Sequence, residues 1–333
     1  MKKIFSFCLT LVLLAGLLTG CGTASDTSAP NTQTKSLHIV TTIFPTYDWV
    51  RTVLGEQADN AEITFLLDNG VDMHSYQPSA EDIMKISSCD VFVYAGGESD
   101  AWASDALKNA SNKNMQVINL LDVLGEHAKE EETVEGMQGA DDHEHGSGEP
   151  SEEEPEYDEH VWLSLKNAQL FVSAIADSLS QADTAHADAY AANAVAYNKQ
   201  LAQLDAAYQS AVDAAPIKTV LFADRFPFRY LVDDYGLSYY AAFSGCSADT
   251  QASFDTIIFL ADKVNELGLH SILTIENSDD KIANTIIQNT QSRDQQVRTL
   301  NSMQTVTSND LASGTTYLSI MKENLSVLSA ALQ

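Results

Sequence analysis

Two histidines stand in loop-like sequence rather than on apolar faces. His74 lies within Asp72-Met73-His74-Ser75-Tyr76-Gln77-Pro78-Ser79, and His160 within Asp158-Glu159-His160-Val161-Trp162-Leu163-Ser164. Neutral imidazole is the commonest protein ligand for zinc and suits several first-row metals. A lone loop histidine is more often an ordinary surface residue, so a metal site needs further donors. Two carboxylate-bearing segments supply them: Ala223-Asp224-Arg225-Phe226, and Glu276-Asn277-Ser278-Asp279-Asp280 after Leu273-Thr274-Ile275. Asp279 and Asp280 read first as caps of the helix that begins at Lys281. Glu276, at the end of a strand, is expected to face a cleft. Four nitrogen and oxygen donors from four loop ends satisfy zinc at about 2.0–2.2 Å. A hydrolytic zinc site would use similar donors but keep a position open for water. Neither His-Glu-x-x-His nor Gly-x-Ser-x-Gly is present.

The donors need a scaffold, and the chain reads as two α/β halves. In the first half, β-branched and apolar runs predict strands over residues 37–42, 62–67, 91–94 and 117–119, with helices over 45–54 and 79–87. In the second, strands are expected over 219–222, 237–242, 271–275 and 296–300. Helices are expected there over 228–235, 254–267, 281–290 and 317–332. Alternation of strand and helix implies parallel sheets, whose ligand sites lie at strand carboxyl ends. Between the halves runs a helical stretch rich in Ala, Leu, Gln and Asn. Tyr190, Ala194, Tyr197, Leu201, Leu204 and Tyr208 recur there at four- and three-residue steps. They define one face of an unusually long helix over 183–214, expected to act as a rigid spine. The fold class is therefore two lobes, each a parallel sheet flanked by helices, joined by one long backbone helix.

The N-terminus resembles a lipoprotein leader. Lys2 and Lys3 precede an apolar run over 4–18, and Leu18-Thr19-Gly20-Cys21 forms a lipobox. Residues 1–20 are expected to be removed, Cys21 lipidated, and 21–36 to serve as a polar tether. The N-terminal lobe is expected over 37–165, the helical linker over 166–215 and the C-terminal lobe over 216–333. Residues 126–159 interrupt the first lobe with 15 acidic residues and one lysine, and predict a mobile, solvated loop, with order resuming at Val161. Cys89 and Cys246 are the cysteines of the folded body, expected in different lobes; a disulfide between them is left open. A net charge of −29 excludes nucleic acid as partner and favours cations.

The motifs carry a resemblance across nearly all of residues 37–333. His74-Ser75-Tyr76-Gln77-Pro78-Ser79 resembles the His-x-Tyr-x-Pro-Ser box of the cluster A-I substrate-binding proteins of metal ABC importers, the zinc and manganese family. Glu159-His160-Val161-Trp162-Leu163-Ser164 resembles their Asp-Pro-His-Val-Trp-Leu-Ser box. Tyr230, Asp234-Tyr235-Gly236-Leu237 and the segment from Tyr317 to Leu325 fit family positions as well. The resemblance implies a monomeric, non-enzymatic, extracytoplasmic protein. It would be anchored to a bacterial membrane through Cys21 and would deliver Zn2+, with Mn2+ as alternative, to an ABC permease. Its implied ligands are His74, His160, a third donor and an acid after the strand at Ile275. Where the family places His or Glu ahead of Phe-x-Tyr, this chain has Arg225, and a guanidinium has no free lone pair for a metal. The third donor is then expected to be Asp224, with Arg225 in an ion pair to Glu276 or Glu98. The fourth is expected to be Glu276, with Asp280 as alternate. His143 and His145, in the acidic loop, are expected to capture zinc weakly and tilt the choice toward zinc. Some relatives are surface adhesins, which adds adhesion as a lesser reading. Metal binding is expected to weaken as pH falls through the ordinary imidazole value of about 6.5.

Overall fold

The computed structural model describes residues 36–138, 156–247 and 251–333. Cys21, His143 and His145, the leader and the tether up to residue 35 lie outside these residues. Among the described residues no helix is long and apolar enough to cross a membrane.

The first lobe holds β1 (His38–Thr41), α1 (Phe44–Leu54), β2 (Glu62–Phe65), α2 (Ala80–Ser88), β3 (Val91–Tyr94), α3 (Trp102–Lys108), β4 (Gln116–Asn119) and α4 (Leu120–Leu124). Its sheet is wholly parallel in the order β2-β1-β3-β4. The β3 run Val-Phe-Val-Tyr is buried along its whole length, as expected of a strand covered on both faces. Two helices follow, α5 (Leu165–Ala182) and α6 (Ala187–Ala214). The second lobe holds β5 (Thr219–Phe226), α7 (Arg229–Tyr235), β6 (Ser238–Ser244), α8 (Phe254–Leu267), β7 (Ser271–Thr274), α9 (Lys281–Asn289), β8 (Gln296–Thr299), α10 (Ser308–Ala312) and α11 (Tyr317–Ala331). Its parallel sheet runs β6-β5-β7-β8, the same order as the first. In each lobe the first strand is central and the second lies on an edge.

The spine is α6. Its predicted face is buried, with Tyr190, Ala194, Tyr197, Leu201, Leu204 and Tyr208 all inside and Val212 extending the stripe. The face packs on α5, α1 and α11. Its polar groups reach both halves: Asn193 donates to the Val53 carbonyl at 2.9 Å, and the Tyr208 hydroxyl donates to the Met321 carbonyl at 2.6 Å. One helix therefore grips a helix of each lobe.

Two expectations need correction. The acidic segment is ordered further than its composition suggests. Of its residues, 126–138 and 156–159 are described, and both stretches are held by specific contacts. Glu130 and Tyr157 bridge antiparallel, and Gln138 bridges Phe243 of β6. Met137 is buried, as are Asp158 and Glu159. Charge alone predicted solvation; backbone pairing and ion pairs such as Arg229–Glu132 at 2.9 Å fasten the arm to the second lobe. The strand that opens the second lobe also continues through Asp224 and Arg225, with a register shift between Phe222 and Arg225. These residues lie in a strand, not beyond it. A bulge lets a strand continue past a local irregularity while re-aiming its side chains.

Candidate metal centre

The structure brings together His74, His160 and Cys246, one donor atom from each lying within 4.8 Å of the others. His74 sits in a single turn, Met73–Ser75, after the edge strand β2. The Asp72 carboxylate caps that turn by accepting from the His74 backbone N–H at 3.0 Å, and buried Met73 anchors it. Cys246 follows the edge strand β6, at the corresponding position of the second lobe. His160 ends the return of the acidic segment and is fully buried.

The sequence around His160 folds as it does because nearly every neighbour is tied down. Trp162 donates its indole N–H to the Ser302 carbonyl at 2.9 Å, and the Tyr317 hydroxyl donates to the Trp162 carbonyl at 2.7 Å. Ser164 caps α5 and gives its hydroxyl proton to Asp234 at 2.6 Å. The Tyr230 hydroxyl donates to the Asp158 carbonyl at 3.1 Å. Tyr230, Asp234 and Tyr317, which fit family positions in sequence, thus brace one ligand-bearing box. Gly245 is needed for the approach of the Cys246 loop: a Cβ there would stand 3.0 Å from both His160 Cε1 and the Phe226 carbonyl oxygen.

The two imidazoles face each other through Nε2, 3.1 Å apart. Their Nδ1 atoms are engaged behind them, His160 with Asp158 Oδ1 at 2.9 Å and His74 with Ser99 Oγ at 2.8 Å. A carboxylate accepts only, so His160 Nδ1 carries the proton and its Nε2 presents a lone pair. Ser99 Oγ can accept as well as donate, and the tautomer in which His74 Nδ1 donates to it turns both Nε2 lone pairs to one place. Two nitrogens at tetrahedral zinc distances subtend about 3.3 Å, close to the gap seen. This pattern of a ligand histidine backed by a carboxylate is the usual support of a metal site.

Burial, then the neighbouring His160 ring, depress His74 to about 3, with Arg225 adding to the effect against Asp72. Burial thus holds the His74 imidazole in its neutral, metal-ready form. Burial raises the Cys246 thiol, and Glu131 raises it further. Glu131 also accepts the Cys246 backbone N–H at 3.2 Å, so the arm of the acidic segment holds the cysteine loop in place. Burial likewise raises Glu159. Its Oε1 accepts from the Ser99 N–H at 2.7 Å, and its Oε2 lies 3.7 Å from His74 Nδ1. His74, Cys246, Glu98, Glu156 and Glu159 share a cavity of about 500 Å³.

Of the residues expected from sequence, His74 and His160 meet; the carboxylates expected beside them have other partners. Asp224 accepts from the Arg225 N–H at 2.9 Å and, at 3.5 Å, from the Ile275 N–H. Glu276 takes three bonds, from the Ser302 N–H at 2.6 Å, the Ser302 hydroxyl at 2.7 Å and the Gln304 N–H at 3.0 Å. Asp280 accepts from the Thr274 hydroxyl at 3.4 Å. Asp224, Arg225 and Glu276 line an adjoining cavity of about 480 Å³ with Ser75. The Arg225 ion pair exists, but its partner is Asp72 at 2.6 Å rather than Glu276 or Glu98. Cys246 was missed as a donor. It and Cys89 are free thiols, Cys89 buried and pushed up to about 12 chiefly by that burial. A signal existed in the order of the strands: the loop after 237–242 is the second-lobe equivalent of the loop that carries His74.

Comparison with known proteins gives one consistent picture. The family model described as zinc-uptake complex component A, periplasmic, matches residues 39–331. The zinc-binding lipoprotein AdcA of Streptococcus pneumoniae R6 is 32% identical over 295 residues, which cover 88% of this chain and 55% of that protein. The chain thus spans about half the length of the AdcA relatives it matches. The high-affinity zinc uptake system protein ZnuA of Bacillus subtilis is 26% identical over 316 residues, 95% of this chain and 94% of the other. Among solved structures, the Zn(II)-bound ZnuA-like domain of S. pneumoniae AdcA superposes with TM-score 0.68 at 28% identity, over 89% of this chain and 99% of that one. The laminin binding protein of Streptococcus agalactiae, described as bifunctional with adhesin and metal transporting activity, gives TM-score 0.68 at 25% identity, over 90% and 100%.

Proposed function

The chain belongs to the zinc-uptake complex component A family, and on that premise we propose that it is an extracytoplasmic binding protein that captures Zn2+ between its lobes and hands it to an ABC importer. The observation that carries the reading is the convergence of His74 Nε2, His160 Nε2 and the Cys246 thiol on one point. Zinc is here the cargo. Two neutral imidazoles and one thiolate suit it, and a fourth position is left to water, to Asp224 or Glu276 of the adjoining wall, or to Asp280 as alternate.

Cysteine decides between zinc and manganese. Thiolate sulfur favours zinc and other soft or borderline ions, whereas manganese prefers oxygen donors. A site of two imidazoles and carboxylates alone would not separate them. Capture rather than hydrolysis follows from the same family membership.

Three further features complete the reading. The lipobox supports membrane anchorage through a lipid on Cys21, outside the cytoplasm. His143 and His145 are proposed to raise the local zinc concentration. Function as a monomer is part of the same reading, and the braces that α6 makes to both lobes favour small rearrangements of loops and lobes at loading and release.

Zinc titration into the metal-free protein tests the assignment. One tight site is expected, and His74→Ala, His160→Ala and Cys246→Ala should each weaken it by about 100-fold or more, since losing a residue that binds the metal costs at least as much as losing one that supports it. Unchanged affinity in all three would end the reading.

A further inference from the structure

Arg225 stands where the family resemblance leads one to expect a metal ligand, and its side chain does something else. Its Nη2 reaches across from β5 to Asp72 Oδ2, 2.6 Å away, on the first-lobe loop that leads into His74. Both side chains are about four-fifths buried, at 19% and 21% exposure. The other Asp72 oxygen, Oδ1, accepts the His74 backbone N–H at 3.0 Å. One carboxylate therefore joins the guanidinium of one lobe to the ligand-bearing turn of the other. Arg225 also pairs in register with Phe243, and Phe226 with Ser244, two residues before Cys246. It thus sits beside the strand that leads to the thiol while holding the turn that carries the imidazole.

A bare guanidinium at this place would repel a dication. We propose that Arg225 and Asp72 act as a matched positioning pair for the metal centre: Arg225 fixes the His74 turn through Asp72, and Asp72 cancels the charge that Arg225 would otherwise present to the incoming cation. The pair rests on the capture reading above and extends it, because it assigns the retention of metal to residues that do not touch it. The pair occupies the seam between the lobes, so metal release that moves the His74 turn away from β5 breaks this bond.

The roles separate by substitution. Asp72→Asn keeps an oxygen to cap the turn but removes the compensating charge. Arg225→Ala removes both the tether and the charge it carried. Zn2+ affinity by chelator competition, and zinc dissociation into excess EDTA, are measured on the full chain. Arg225→Ala should release zinc about 10-fold faster. Asp72→Asn should weaken binding more, by about 30-fold, because the uncompensated guanidinium remains. The double variant should return to the Arg225→Ala level, a coupling expected only of groups that act on each other. Arg225→Lys should keep most of the retention, since it restores the charge pair in part. Melting of each metal-free variant shows that the fold is kept; if Asp72→Asn does not fold, Arg225→Ala against Arg225→Lys decides. Single variants within twofold of the wild type, or losses that simply add in the double variant, overturn the proposal. A wild-type chain that takes up no zinc would instead overturn the capture reading itself.

Discussion

Asp158 and His160 are joined twice through one oxygen: Asp158 Oδ1 accepts the His160 backbone N–H at 2.8 Å and the ring Nδ1–H at 2.9 Å. The carboxylate thereby sets both the rotation of the ring and its tautomer, and so aims Nε2 at His74. Asp158→Asn retains an acceptor but loses the charge that raises the basicity of the imidazole. Zinc affinity should fall about 10- to 100-fold, the usual cost of losing such a supporting carboxylate. An equal affinity measured by competition with a fluorescent chelator would show that the ring needs no such support.

The thiol sets the metal ranking. Cys246→Asp replaces sulfur by oxygen in a loop already held by Glu131. The variant should lose zinc affinity and gain manganese affinity relative to zinc. Elemental analysis after dialysis against equal zinc and manganese checks this. A ranking unmoved by the substitution would place Cys246 outside the coordination sphere.

The adjoining carboxylates should differ in their reach. Glu276 would have to give up three bonds of 2.6–3.0 Å to turn toward a metal, whereas Asp224 gives up one of 2.9 Å and one of 3.5 Å. Asp224→Ala should therefore cost more zinc affinity than Glu276→Ala, and Glu276→Ala more stability, by about 1–3 kcal/mol for the donors left unpaired. Calorimetric titration and thermal melting of the pair test the order; the reverse order in affinity would make Glu276 the fourth ligand.

Asp48 gives a pH dependence remote from the metal. Burial raises its carboxyl to about 6, against the bond it accepts from the Tyr317 N–H. The folded state holds this proton more tightly than the unfolded chain, whose carboxyl titrates near 4. The group's favourable contribution is therefore present at low pH and is lost as pH rises toward and through about 6. At neutral pH the ionised form costs roughly 3 kcal/mol. Asp48→Asn, uncharged at every pH, should raise the melting temperature by a few degrees at pH 7.5 and change it little at pH 4. A gain equal at both values would mean that Asp48 is not held against its charge.

Much of this molecule was legible from periodicity and from two short boxes. The stripe from Tyr190 to Tyr208 gave the spine, since residues four and three apart share a helical face. The apolar and β-branched runs marked the eight strands of the described residues, most plainly β3 and β7, which are buried along their whole length. His74 and His160 were readable because the two short boxes around them resemble the family's metal-binding boxes; a loop imidazole by itself is more often an ordinary surface residue. Arg225 was seen to be unfit as a ligand, but its partner depends on how the Asp72 loop lies against β5, which no local pattern encodes. Asp224 read as a loop residue because the Val-Leu-Phe run ends before it; the strand continues past an irregular register instead. The arm over 126–138 was hidden by its charge, which masks backbone pairing with Phe243 and ion pairs with the second lobe. Cys246 was passed over because a single cysteine carries little signal until the matching order of the two sheets sets its loop opposite that of His74.

X-ray absorption at the zinc edge of the loaded protein reads the donor atoms themselves. Two imidazole nitrogens at about 2.0–2.1 Å and one sulfur at about 2.3 Å are expected. A shell of nitrogen and oxygen alone, with no sulfur scatterer, would contradict that donor set.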